Sequence, residues 1–124
     1  MAIGTQSDLT MHSGDTRLIQ ITIVDSGGSS PINVSTLTGA QVTWALSKKS
    51  KDTTAPRGSS LVTKTLGSGI SFTNTGSDGK IDVLLSPADT AALSGDYYHE
   101  LQLTISDAIY TVLYGKVTIA KDLI

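Results

Sequence analysis

The 124-residue sequence contains no cysteine. That absence excludes a disulfide scaffold and a thiolate zinc site, and it suits folding in a reducing compartment such as a cytoplasm. Glutamate occurs once, at Glu100, and arginine and glutamine are few, so the residues that build exposed helix faces are scarce. Charge is also thin. A net charge of -2 leaves no electrostatic footprint for nucleic acid. No run approaches the ~20 apolar residues of a membrane helix. Residues 1–10 have neither a basic start nor an apolar stretch, so no secretory signal is expected.

What remains is rich in Ser, Thr, Val and Ile, which favours strands over helices. The length fits one domain spanning residues 1–124. Apolar and polar residues alternate with the period of two of a half-buried strand. In residues 18–24, Ile19, Ile21 and Ile23 share a face; in 41–47, Val42, Trp44 and Leu46 do. Residues 61–66 and 70–73 are shorter runs, and 80–85 groups Ile81, Val83 and Leu85. Residues 97–105 place Tyr97, His99, Leu101, Leu103 and Ile105 opposite Tyr98, Glu100, Gln102 and Thr104. The last run, 108–119, has an expected phase break at Gly115, where a bulge is natural. Ser7 to Met11 are read as an edge strand.

Turn chemistry separates these runs. Asp25-Ser26-Gly27-Gly28 tolerates positive φ, Asp78-Gly79 is a hairpin signal, and Ser106-Asp107 joins the last two strands closely. Pro31 to Thr38 reads as an extended crossing segment. Lys48 to Ser60 is the longest polar loop, carrying Lys48, Lys49, Lys51 and Arg57. One helical turn is expected near Ser86–Leu93, because Ser86 precedes Pro87 at the first helical position and Asp89 follows three places on. The expected fold is all-β: an immunoglobulin-like, two-sheet antiparallel sandwich of seven or eight strands with that single turn. Trp44, Ile21, Val83, Leu101 and Leu103 are its expected core, with Trp44 between the sheets. Tyr97 or Tyr98 stands where a tyrosine corner would pin the turn.

Chemistry is sparse. His12 and His99 have no acidic or nucleophilic partner at a diagnostic spacing, and no nucleophile elbow is present. His99 lies on an apolar strand face and reads as a core or interface histidine; His12 reads as a surface residue. Ten aspartates match no EF-hand loop, and turns account for Asp25, Asp78 and Asp107. The glycine-rich stretches lead into no helix bearing a lysine, so they cradle no phosphate. No catalytic residue, cofactor or metal is expected. Lys48, Lys49, Lys51 and Arg57 could dock an acidic partner, or form a solvated loop that guards a sheet edge. Tyr98, Tyr110 and Tyr114 are partner-contact candidates if exposed.

The order of short motifs adds a resemblance. Gly14-Asp15-Thr16 and its strand, Val24-Asp25 with a glycine turn, Pro31, and Leu37-Thr38-Gly39-Ala40 form the first half. Lys64-Thr65, Gly69-Ile70, Asp78-Gly79-Lys80, Ser86-Pro87-Ala88-Asp89-Thr90 and Gly95-Asp96-Tyr97-Tyr98 form the second. Together, over roughly residues 12–119, they resemble the immunoglobulin-like domain family of tailed phages, found at the N-terminus of upper baseplate proteins and in small phage proteins. The resemblance implies a non-enzymatic virion protein, assembled in the host cytoplasm, as a capsid decoration or cement protein or a tail or neck accessory. Its partners would be the major capsid protein or tail proteins, with no nucleic acid and no membrane. It also implies a homo-oligomer, with a trimer as the guess for a decoration protein. Upper baseplate proteins continue into a long C-terminal region, whereas this sequence ends at Ile124, so a free-standing component is expected. Residues 1–12 and 120–124 are expected as extended arms laid on a neighbour. The alternative, from another class, is a carbohydrate-binding or adhesion module, which requires an exposed aromatic platform.

Overall fold

A computed structural model describes residues 5–24, 30–51, 53–54 and 56–121. The turn expected at residues 25–28 lies outside the described residues, as do residues 1–4 and 122–124 of the expected arms.

The alternating runs become strands. β1 (Thr5–Gln6) and β2 (Leu9–His12) are two stretches of one edge strand, followed by β3 (Arg17–Thr22) and β4 (Val42–Lys49). β5 (Pro56–Leu66), β6 (Gly69–Phe72) and β7 (Lys80–Leu85) lead to the helical turn α1 (Pro87–Thr90), then β8 (Gly95–Ile105) and β9 (Ala108–Ala120). A 3-10 turn at Gly39–Gln41 opens β4.

Hydrogen bonding runs β1-β9-β8-β4-β5-β6-β7-β3, with β2 also on β9. The path folds over at the β5–β6 corner, where only two residue pairs, Thr65 with Gly69 and Leu66 with Ile70, join the strands. One layer is therefore the edge strand, β9, β8, β4 and β5; the other is β6, β7 and β3. This is the strand order of a variable-type immunoglobulin sandwich. Pairing is antiparallel except at that corner and between the edge strand and β9.

The period-two faces meet between the layers. Trp44, Val42, Val83, Ile81, Leu101 and Leu103 are wholly buried, and Ile21 is 7% exposed, so the expected core forms as read. Removing such faces from water is the main favourable term in folding, at roughly 25 cal/mol per Å² of apolar surface.

Turns follow their chemistry. Ser106 and Asp107 both take positive φ, 51° and 70°, as a two-residue hairpin with the right-handed twist requires. Gly79 has φ 72°, and a Cβ there would stand 2.6 Å from the Ile23 carbonyl oxygen. At α1 the Asp89 carboxylate accepts from Ser86 N at 2.7 Å, the reciprocal half of a capping box. The Asp89 amide donates to the Ser86 carbonyl at 3.0 Å. Tyr97, and not Tyr98, makes the tyrosine corner: its hydroxyl donates to Ser94 O at 3.0 Å and accepts from Ser94 N at 3.1 Å.

Three expectations are corrected. The phase break of β9 lies at Val112, not Gly115: Leu101 pairs with Leu113 and Gln102 with Thr111, leaving Val112 as the extra residue. Gly115 is needed for another reason, since a Cβ there would collide with the Ser7 carbonyl. The polar loop after β4 is shorter than expected, because pairing continues through Lys48 with Arg57 and Lys49 with Pro56. Residues 5–12 are paired with β9 of their own chain and are no free arm.

Candidate functional site

The most constrained polar group is His99, wholly buried on β8. The Trp44 indole N–H donates to His99 Nδ1 at 3.0 Å. An indole only donates, so Nδ1 is the bare nitrogen and Nε2 carries the hydrogen. Nε2 then donates to the Ser7 carbonyl at 2.7 Å. Burial holds the His99 pKa below its ordinary value, against the opposing pull of the Ser7 carbonyl and Asp8. Both ring nitrogens are committed to structure, which leaves none for acid–base chemistry. No buried side-chain polar atom among the described residues lacks a partner.

Ser7 belongs to the same lock. Its amide donates to Tyr114 O at 2.7 Å, and Asp8 Oδ1 accepts from Lys116 N at 2.9 Å. The edge strand thus sits on β9 by backbone pairing, with one core side chain reaching out to hold it. The alternation marked His99 as buried, but no spacing links it to Ser7, 92 residues away. Gly115 is the one trace in the sequence of that close approach.

The basic residues gather at the β4–β5 hairpin tip. Lys48, Lys51 and Arg57 are exposed, and Lys48 stands directly across from Arg57. Like charges placed opposite on paired strands repel, which an anionic partner would offset. Lys49 is half-buried, its ammonium donating to Ser50 O and Thr53 O, both at 3.0 Å. It caps the loop and is the least available of the four.

The tyrosine candidates divide. Tyr98 is buried at 7% exposure, so the condition set for it as a contact, exposure, is not met, and its hydroxyl donates to Glu100 Oε2 at 3.0 Å. Burial, then the Glu100 carboxylate, pushes the Tyr98 pKa up to about 12. Tyr114, half-buried, is paired with Glu100 and lies close to Tyr98. Beside them is a shallow depression of about 180 Å³ bordered by Ser47, Pro56, Ser60, Tyr98 and Glu100. Tyr110, on the far side of the bulge, packs against the core. Of the six aromatic residues Trp44, Tyr97 and Tyr98 are buried, and Phe72, Tyr110 and Tyr114 are half-buried. Among the described residues no three His, Asp or Glu side chains gather to hold a metal. No described helix is long and apolar enough to cross a membrane.

No protein-family model matches the chain, and no curated protein matches it by sequence. Among solved structures it is similar to the NK cell receptor Nkp44, described as a triggering partner in natural cytotoxicity. The identity is 12% and the TM-score 0.44, over 94% of this chain and 99% of that one. A likeness at that score carries no argument about function. The immunoglobulin-like architecture rests on the strand order and core described above.

Proposed function

We propose that this chain is a non-enzymatic binding domain, a structural component of a tailed-phage virion that acts through protein–protein contacts. The observation that carries the binding half is the commitment of His99: the one buried imidazole is consumed between Trp44 and Ser7. The depression beside Tyr98 is shallow, and groups that could do chemistry do not converge in it. Such a domain acts by its faces and edges. The phage half rests on the order of motifs from Gly14 to Tyr98, and a capsid decoration or a tail or neck accessory role follows from it. Its partners are then other virion proteins, and repetition on a symmetric particle multiplies weak contacts.

The test is reassembly. Particles assembled without this chain are mixed with the purified protein and sedimented. Saturable co-sedimentation is expected, reduced when Lys48 and Arg57 are both changed to Glu. Absence of binding to intact capsids and tails alike contradicts the reading.

A further inference from the structure

β3 ends the hydrogen-bonded path and pairs only with β7. The N-terminal edge strand goes to β9 instead, so among the described residues nothing covers the outer flank of β3. The ladder phase tells which groups are free. Ile23 N donates to Gly79 O at 2.8 Å, and the β3–β7 register runs unbroken from Arg17 with Leu85 to Thr22 with Lys80. Hydrogen-bonded pairs recur every second residue, so Ile19 and Ile21 turn their backbone groups to β7. Leu18, Gln20 and Thr22 turn theirs outward.

Exposed edges are ordinarily guarded by lysine, proline, a bulge or a covering segment. This one has none of them on its outward residues: Leu18, Gln20 and Thr22 are uncharged, and the register carries no bulge. Leu18 and Leu84 are directly paired, and each is 49% exposed, so one apolar pair runs from the open edge across to β7.

We propose that the free edge of β3 is a self-association seam, pairing antiparallel with β3 of a second copy about a two-fold axis at Gln20. The occupant is argued from self-complementarity. With the axis at Gln20, Gln20 faces Gln20 of the second copy, and Leu18 faces Thr22. All three outward residues engage, giving about six backbone hydrogen bonds. A glutamine amide both donates and accepts, so two copies across the axis satisfy each other. Leu18 gains the methyl of a β-branched neighbour. No like charges are opposed across the seam: the two copies of Asp82, which is paired with Gln20, come no nearer than three strand spacings, about 14 Å. At that distance exposed charges are largely screened. The result is a six-stranded sheet, β6-β7-β3 and its symmetry mate. An isologous contact closes at two copies, a dimer where the phage resemblance implies a trimer. The inference stands independently of the virion reading.

The full chain should be run by sedimentation velocity over a concentration series, with residue-resolved amide exchange at both ends of it. A concentration-dependent dimer is expected, in which the amides of Leu18, Gln20 and Thr22 are protected at high concentration and exchange fast on dilution. Gln20→Lys, an exposed change that sets two ammonium groups face to face, should weaken the dimer about tenfold or more and leave circular dichroism unchanged. Thr63→Lys, on exposed β5, should leave the dimer intact. A protein that stays monomeric throughout overturns the proposal. So does a dimer that is indifferent to Gln20→Lys while the three amides stay unprotected.

Discussion

The Trp44 indole N–H and the His99 Nδ1 meet at 3.0 Å inside the sandwich, with their rings edge to face and centroids 6.0 Å apart. His99 follows the corner residue Tyr97 by two positions, the place where antibody domains carry the second cysteine of the inter-sheet disulfide. In this cysteine-free chain a tryptophan–histidine hydrogen bond occupies that place, and it continues outward to Ser7. Replacing Trp44 by Phe strands a bare nitrogen in the core, and the loss should be about 1–3 kcal/mol in urea unfolding. The double change Trp44→Phe with His99→Leu should cost less than the sum of the two single changes, because no partner is then orphaned.

The same pair sets a pH dependence. Burial holds the His99 pKa in the folded chain below its ordinary 6.5, so the unfolded chain takes up that proton first as pH falls. Stability from this group is therefore fully present above about pH 6.5 and is lost as pH drops toward the lowered folded value. Urea midpoints measured between pH 7.5 and 5 should decline. In His99→Gln that part of the decline should vanish, although the variant starts from a lower midpoint.

Tyr98 gives a signal at the alkaline end. Burial and the Glu100 carboxylate raise it to about 12, so in an absorbance titration of the phenolates Tyr98 should lag behind the ordinary tyrosine range. A raised folded pKa means that this contribution holds below pH 10 and is lost as pH climbs toward 12. Glu100→Gln should bring the lagging titration earlier, with burial still holding it above 10.

The N-terminal lock rests on Gly115. A methyl there collides with the Ser7 carbonyl, so Gly115→Ala should lift the edge strand from β9 without dissolving the sandwich. Faster amide exchange at Ser7 and quicker proteolysis before Met11 are expected, with the core amides of β4 and β8 still protected.

Asp89 links the helical turn to β5. Burial pushes its pKa up, but the hydrogen bonds from Lys64 and Ser86 prevail and hold it below the ordinary value. Its ammonium partner on Lys64 lies 2.9 Å away. Asp89→Ala should cost about 1 kcal/mol through the lost cap, and Lys64→Met less, since that pair is partly solvated. The wild type should lose the Asp89 contribution as pH falls below about 4.

The parts of the molecule legible in the sequence are those that local patterning dictates. Strands such as residues 80–85, the Ser86-Pro87-Ala88-Asp89 turn and the Ser106-Asp107 hairpin are read from periodicity and φ preference alone. What escaped depends on partners far along the chain. The bulge at Val112 reflects how β9 must slip against β8, and Gly115 attracted that reading because it serves a contact with Ser7. Tyr98 sits at an outward position yet is buried, beside a depression that Pro56 and Ser60 of β5 also border, and no alternation on β8 records that neighbour. The open flank of β3 is likewise a fact of pairing, with one hint in sequence: Leu18 is apolar where the alternation asks for a polar residue.

We propose for this domain a place as a built-in part of a tailed-phage particle. Quantitative peptide mass spectrometry on purified phage particles, from a host in which the gene for this chain is expressed with the phage, tests that proposal. A virion component should be found at a fixed ratio to the major capsid protein or to a tail protein, retained through gradient purification. Its absence from washed particles, with abundant free protein in the lysate, would rule out the virion role and leave a binding domain whose partner lies elsewhere.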